Sequence, residues 1–219
     1  MTDGVDALAG LAEGIVADAA GGRALLGIAG VPGAGKSTLA AALVGELERR
    51  HGPGWAAQVP MDGYHLADVS LERLGLRDRK GAPETFDALG YAALLRRLRQ
   101  DVDRDVYAPG FERTLEQPLA GAVVVPAGVR LVVTEGNYLL LDRPEWREAR
   151  EALDEVWFVD GDDEARMERL VARHVEFGKS PEHARAWIAS VDEPNAAAVR
   201  AVAGAADRTV VALDGGWRL

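Results

Sequence analysis

The run Gly30-Val31-Pro32-Gly33-Ala34-Gly35-Lys36-Ser37 constrains this chain more than any other segment. It satisfies the spacing G-x-x-x-x-G-K-[ST], and its flanks agree with it. Ala24-Leu25-Leu26-Gly27-Ile28-Ala29 reads as a short buried strand. From Thr38 to Arg50, Leu39, Leu43 and Leu47 recur every fourth residue among good helix formers, which predicts a helix. Glycines 30, 33 and 35 let successive backbone N–H groups turn toward one anion, and the helix N-terminus adds its positive dipole end. On this reading Gly30, Gly33, Ala34, Gly35, Lys36, Ser37 and Thr38 cradle the phosphates of ATP. Lys36 reaches the β- and γ-phosphates, and the Ser37 hydroxyl ligates Mg²⁺. The alternative is an ordinary glycine-rich turn between strand and helix. The rarity of lysine weighs against that, because the chain has three lysines to 22 arginines.

A length of 219 residues suits one α/β domain with a sizeable core, and no repeat or linker-like stretch divides it. The acidic start, Met1 to Asp6, lacks the basic and apolar runs of a signal peptide. No apolar segment approaches the ~20 residues of a membrane span. A soluble cytoplasmic protein is the default expectation. There are no cysteines, which excludes disulfides and thiolate chemistry. The net charge of −10 argues against a broad nucleic-acid surface. It does not argue against ATP, whose charge is met locally. A homodimer is admitted, although no exposed apolar face is legible.

Apolar strands alternate with helices along the chain. Residues 3–20 read as an amphipathic helix, and Trp55 to Met61 as a second strand ending at Asp62-Gly63-Tyr64-His65. Residues 66–87 read as irregular. Leu89 to Arg99 reads as a helix, and Val106 and Val123 to Val125 as short strands around a polar loop, Pro109 to Pro118. Val129 to Thr134 and Val156 to Val159 read as strands, the first ending at Glu135. A helix from about Glu164 to Phe177 follows, and Ser180-Pro181-Glu182 opens another with an N-cap and a proline at its first position. Thr209 to Leu213 reads as the last strand. The pattern predicts an α/β fold, a mostly parallel sheet with helices on both faces, whose ligands sit at the carboxyl ends of the strands.

Three groups at such ends carry candidate chemistry. Asp62 is placed to take a proton from an acceptor hydroxyl, with His65 orienting that acceptor; otherwise Asp62-Gly63 is only a turn. Glu135 stands where an acid holds Mg²⁺ or its water, and a lone acid there is costly without a cation beside it. The bland reading is a solvated strand-end cap. Arg166, Arg169 and Arg173 share one helix face, which either stabilises the γ-phosphate in the transition state or pairs with Glu164 and Glu168 in solvent. His174 and Lys179 lie on the same stretch. No Asn-Lys-x-Asp motif reads guanine, and no Ser-His-Asp order stands out.

With Met61 to His65, Arg79-Lys80-Gly81-Ala82-Pro83-Glu84-Thr85-Phe86-Asp87 and Thr134-Glu135-Gly136-Asn137 added to the first motif, the chain resembles the phosphoribulokinase, uridine kinase and type I pantothenate kinase superfamily. It is most similar to bacterial members labelled nucleoside/nucleotide kinase or fructose-transport kinase, over about residues 22–213. The resemblance implies a monophosphate-kinase-like, three-layer P-loop fold spanning residues 1–219, with a helical lid and following helix over about 162–200. It also implies transfer of the γ-phosphoryl of ATP to a small-molecule hydroxyl. By position Asp62 matches the general base, Glu135 the acid near Mg²⁺, and Arg169 and Arg173 the lid. The usual Arg-Asp lid pairing is absent, since His174 follows Arg173. Tyr64, His65, Lys80, Arg113 and Tyr138 are the candidate acceptor contacts. Asn195 is a pocket wall on position alone, and Phe86 reads better as core. Pro109-Gly110-Phe111-Glu112-Arg113 has Phe where pantothenate kinases carry Tyr and Arg113 where they carry His. No His follows in Thr114 to Pro118 as it does in uridine kinases, so the acceptor stays open. Arg113 either meets an anionic group on the acceptor or holds its own loop through Glu112 or Glu116. The rival functions are a P-loop NTPase that drives a partner and a non-catalytic nucleotide-binding module.

Overall fold

The computed structural model describes residues 4–213 and 215–219. In chain order the elements begin with α1 (Val5–Asp18), β1 (Ala24–Gly30), α2 (Lys36–His51), β2 (Ala56–Pro60), α3 (Asp68–Leu74) and α4 (Ala88–Gln100). The hairpin β3 (Val106–Glu112) and β4 (Gln117–Val125) follows, then β5 (Leu131–Gly136), α5 (Pro144–Glu151) and β6 (Glu155–Gly161). The last part holds α6 (Asp163–Glu176), α7 (Pro181–Trp187), a π-helical turn (Ile188–Asp192), α8 (Glu193–Ala201), β7 (Arg208–Leu213) and β8 (Gly216–Arg218). Asp3, the first residue of the predicted 3–20 helix, lies outside the described residues.

Six strands form one sheet in the order β2-β5-β1-β6-β7-β8, parallel except for β8. β1 and β5 are buried along their whole length, so both faces of the sheet are covered. Leu39, Leu43 and Leu47 of α2 are fully buried at the predicted spacing of four, as are Tyr91, Leu95 and Leu98 of α4. Asp87 caps α4 by accepting from Gly90 N at 2.9 Å, and Ser180 caps α7 above Pro181 as expected. The register sets Pro60 beside Glu135 and Ile28 on the other side of Glu135, which brings the ends of β2, β5 and β1 together.

Three expectations need correction. Pro109 to Pro118 is not a loop: β3 and β4 continue through it to Glu112 and Gln117, with a register shift between Ala108 and Gly110 that accommodates Pro109. Residues 66–87 are ordered into α3 and two 3₁₀ turns, Arg77–Arg79 and Pro83–Thr85. Thr209 to Leu213 is not the last strand, since β8 folds back antiparallel on β7.

One buried cation ties the layers opposite the strand carboxyl ends. Arg23 is 1% exposed, and its guanidinium donates to the carbonyls of Leu98 at 2.8 Å, Val129 at 3.0 Å, and Asp101 and Pro126 at 3.2 Å. Two of these carbonyls belong to the end of α4, where the helix dipole favours a positive charge. Replacing Arg23 by Met leaves all four acceptors without it. We expect Arg23→Met to lower unfolding stability in urea by about 3 kcal/mol, with Arg23→Lys in between. A loss below about 1 kcal/mol for Arg23→Met would show that the carbonyls find other partners.

Candidate active site

A cleft of about 670 Å³ opens where the loops after β1, β2 and β5 meet. Gly33, Gly35, Lys36, Ser37 and Thr38 line it from one side, Asp62 and Glu135 from its floor. Gly30 stands behind them at the end of β1 against the Val159 carbonyl, and Ala34 is buried beside a smaller recess.

The charged groups at the floor are mutually dependent. The Ser37 hydroxyl donates to Glu135 Oε1 at 2.9 Å. The buried Lys36 ammonium donates to Val31 O at 3.0 Å and to Asn137 Oδ1 at 2.7 Å. Burial pushes Lys36 down to about 8, while Glu135 and Asp62 pull the other way. Burial raises Glu135, and the Asp62 charge raises it further; Lys36 and Ser37 act against both. Two acids thus share a site whose other donor is a hydroxyl. An all-oxygen set of this kind fits a small hard cation such as Mg²⁺, which would relieve the repulsion between the acids. Among the described residues no group of three or more His, Cys, Asp or Glu could hold a metal by itself. An ion here therefore needs ligand oxygens as well as those of Ser37 and Glu135.

The glycine-rich loop is pressed against α6. Gly33 has φ +78°, and a Cβ built there would lie 2.7 Å from Leu170 Cγ and 3.1 Å from the Arg166 carbonyl. Of the three arginines, Arg166 is buried and holds structure together. Its Nε donates to Asp163 at 2.7 Å, its Nη2 to Glu193 at 2.6 Å and its Nη1 to Pro32 O at 3.4 Å. The solvent pairing with Glu164 and Glu168 is therefore not what Arg166 makes. Arg169 donates to Gly33 O at 3.0 Å, and both Arg169 and Arg173 line the cleft.

The far half of the cleft is walled by aromatic rings. His65 packs against Phe86, with centroids 4.0 Å apart, and Phe111, at 4.7 Å, its ring tilted by 42° and 46° to theirs. His65 Nδ1 lies 2.8 Å from the Asp62 carbonyl, which can only accept, so Nδ1 carries the proton. Burial lowers the His65 pKa, and in the neutral ring Nε2 is left as an acceptor. Phe86 lines the cleft as well as packing in the core. Arg113 comes from the turn between β3 and β4, and its Nη2 stands 3.7 Å from Asp62 Oδ2. The close fit of that hairpin depends on Gly63, where a Cβ would lie 2.2 Å from the Pro109 carbonyl.

Several predicted contacts lie elsewhere. Tyr64 is not among the cleft-lining residues; its ring packs on Tyr91 at 5.4 Å, and burial pushes its hydroxyl up to about 12. Tyr138 is fully buried and donates to the Gly81 carbonyl, so it is a core residue rather than a pocket wall. Asn195 donates to the same carbonyl at 3.3 Å and is also absent from the lining. Lys80 does line the cleft, but its ammonium is engaged by Asp68 Oδ1 at 2.7 Å and by the Glu116 carbonyl. Its role is to brace the hairpin turn.

Other lining residues are given no role, or only a weak one, by the sequence. Asn137 is the acceptor for Lys36, and its place just after Glu135 was the available clue. His174 Nε2 meets Asp192 Oδ2 at 2.8 Å, and Trp187 lies under Lys179 Nζ at 5.2 Å from its ring centre. These residues stand on α6, on the turn after it, on α7 and on the π-helical turn, and only folding brings them together. One compositional clue does point here: all three lysines of the chain, Lys36, Lys80 and Lys179, line this one cleft.

The chain is 38% identical to a solved structure from Silicibacter sp. TM1040 described as a "putative fructose transport system kinase". That match covers 92% of this chain and 98% of the other, with a TM-score of 0.81. It is 35% identical over 160 residues to a protein of Schizosaccharomyces pombe named "Putative uridine kinase", covering 71% of this chain and 68% of the relative. It is 39% identical over 133 residues to an "ATP-dependent kinase-like protein" of Aspergillus versicolor, covering 58% of this chain and 77% of the relative. No family model matches the chain.

The contact between Gly33 and α6 can be tested by stability alone. Gly33→Ala combines a left-handed backbone with overpacking against Leu170, and we expect it to cost about 2–4 kcal/mol in chemical unfolding. Leu170→Ala in the same chain should return the overpacking part and leave the backbone part. Strict additivity of the two substitutions would mean that the two residues do not press on each other.

Proposed function

The chain belongs to the P-loop kinases of the phosphoribulokinase, uridine kinase and type I pantothenate kinase superfamily, and on that premise we propose that it transfers the γ-phosphoryl group of ATP to a hydroxyl of a small molecule. The observation that carries this reading is the convergence of Lys36, Ser37, Glu135 and Asp62 on one cleft at the strand ends, with aromatic walls opposite the glycine-rich loop.

In the proposed mechanism the loop amides and Lys36 hold the ATP phosphates. Lys36 exchanges Val31 O and Asn137 for phosphate oxygens, which restores charged partners to a buried ammonium. Ser37 and Glu135 would hold Mg²⁺, which when bound neutralises charge on the β- and γ-phosphates. The acceptor lies against the His65, Phe86 and Phe111 rings. Its hydroxyl oxygen bonds to the γ-phosphorus as the bond to the bridging β–γ oxygen breaks, and its proton passes to Asp62. Arg169 and Arg173 reach the same space from α6 and stabilise the charge on the transferred group. Most of the rate comes from positioning and electrostatics, since phosphoryl transfer asks little covalent chemistry of the protein.

The test is ADP release from Mg·ATP across a panel of hydroxyl compounds: pantothenate, uridine, cytidine, fructose, ribose and ribulose 5-phosphate. Lys36→Ala should abolish turnover. Asp62→Asn should lower kcat by about a thousandfold while ATP affinity, measured by titration calorimetry, stays within about twofold. Undiminished transfer by Asp62→Asn would remove Asp62 as the base. ADP release that ignores every acceptor would point instead to an ATP hydrolase.

A further inference from the structure

The kinase reading leaves the acceptor unnamed, and the environment of Arg113 narrows its chemistry. Arg113 and Asp62 face each other at 3.7 Å without a hydrogen bond, well beyond the about 2.7–2.9 Å of a committed guanidinium–carboxylate contact. On its own turn Glu112 bonds to Thr114 instead. Glu112 Oε1 accepts from Thr114 N at 3.0 Å and from Thr114 Oγ1 at 2.7 Å. Among the described residues Asp62 is the only ion-pair partner of Arg113, and Glu116 forms none with it.

The turn itself is held in place. Lys80 donates to the Glu116 carbonyl and to Asp68, and Asp68 N donates to Gln117 Oε1 at 3.1 Å. A braced backbone therefore presents a guanidinium, 41% exposed, to the one carboxylate that the reaction needs as a base. Arg113 lines the cleft beside Asp62, and among the described residues its fork of N–H donors is left without a hydrogen-bonded partner there.

We propose that Arg113 reads an anionic group on the acceptor. The acceptor is a hydroxyl compound that also bears a phosphate or a carboxylate. On binding, that anion replaces Asp62 as the partner of Arg113. Asp62 is then free to take the hydroxyl proton as the acceptor oxygen bonds to the γ-phosphorus and ADP departs. The planar guanidinium fork matches either anion with two parallel hydrogen bonds. A neutral acceptor makes no such bonds to Arg113, so discrimination comes from the missing contact.

The experiment compares acceptors in matched pairs that differ only in the anionic group. Ribose against ribose 5-phosphate and fructose against fructose 6-phosphate test phosphate; glycerol against glycerate and pantothenol against pantothenate test carboxylate. ADP release is followed for the unaltered protein, Arg113→Gln and Arg113→Lys, with thermal melts to confirm that each variant is folded. The expected result is a kcat/KM at least about tenfold higher for the anionic member of one pair. Arg113→Gln should shrink that ratio about tenfold to hundredfold, chiefly through KM, and Arg113→Lys should recover part of it. A neutral compound as the better member of every pair that is used overturns the inference and leaves the kinase reading intact. So does an anionic-to-neutral ratio that Arg113→Gln leaves unchanged. Absence of ADP release with every compound counts against the kinase reading itself and removes the inference with it.

Discussion

A buried ammonium wedged between a strand end and a helix start is the constraint around which this structure is arranged. Lys36 is 8% exposed, and Glu135, next to it in space, is 5% exposed. Neither charge is tolerable there alone. Their juxtaposition requires β1 and β5 to be adjacent and in the observed register, and it requires α2 to start directly after the glycine-rich loop. The third charge, Asp62, arrives because β2 pairs with β5 on the other side and ends at Pro60, two residues before it. The parallel sheet is thus the device that delivers three charged groups to one point from segments far apart in the chain.

Two further arms close over that point, and each is tied down by polar bonds as well as by buried apolar side chains. The β3–β4 hairpin is braced by Lys80 and Asp68 at its turn and seated on Gly63 at its base. The α6–α8 segment is joined to the glycine-rich loop through Arg166 and Leu170, and to itself through the Arg166–Glu193 and His174–Asp192 pairs. The Gly81 carbonyl links the two sides, since it accepts from both Tyr138 and Asn195. Polar ties of this kind specify an arrangement without filling the space beneath it, and that space is the cleft.

The glycine-rich loop, the strand-end acids Asp62 and Glu135, and the caps at Ser180 and Pro181 were legible because each is a local signal: a spacing, or a charge placed after an apolar run. The base of the hairpin is legible in Val106 and Val123 to Val125, but its length is not, because Pro109, Gly110 and Pro118 carry the composition of a loop and the strands run on past a register shift at Pro109. Tyr64 and Tyr138 were placed in the pocket by their positions next to motif residues. Their side chains turn into the core, a choice made by packing against Tyr91 and Trp146 that no local pattern records. Arg166 shares a helix face with Arg169 and Arg173 in the sequence, where the latter two are already favoured as phosphate contacts. The structure separates it from Arg169 and Arg173 because the interior of the interface holds Asp163, Glu193 and the Pro32 carbonyl.

The confinement of every lysine to one cleft has a chemical consequence. Arginine guanidinium groups do not react with amine-selective acylating reagents, and 22 of the 25 basic side chains here are arginine. The ε-amines available to such a reagent are therefore those of Lys36, Lys80 and Lys179, all facing the same space. Lys36 and Lys80 are both buried and hydrogen-bonded, Lys36 to Val31 and Asn137 and Lys80 to Asp68 and Glu116. Lysine acylation, which on most proteins is scattered over the whole exterior, is directed on this one to a single cavity.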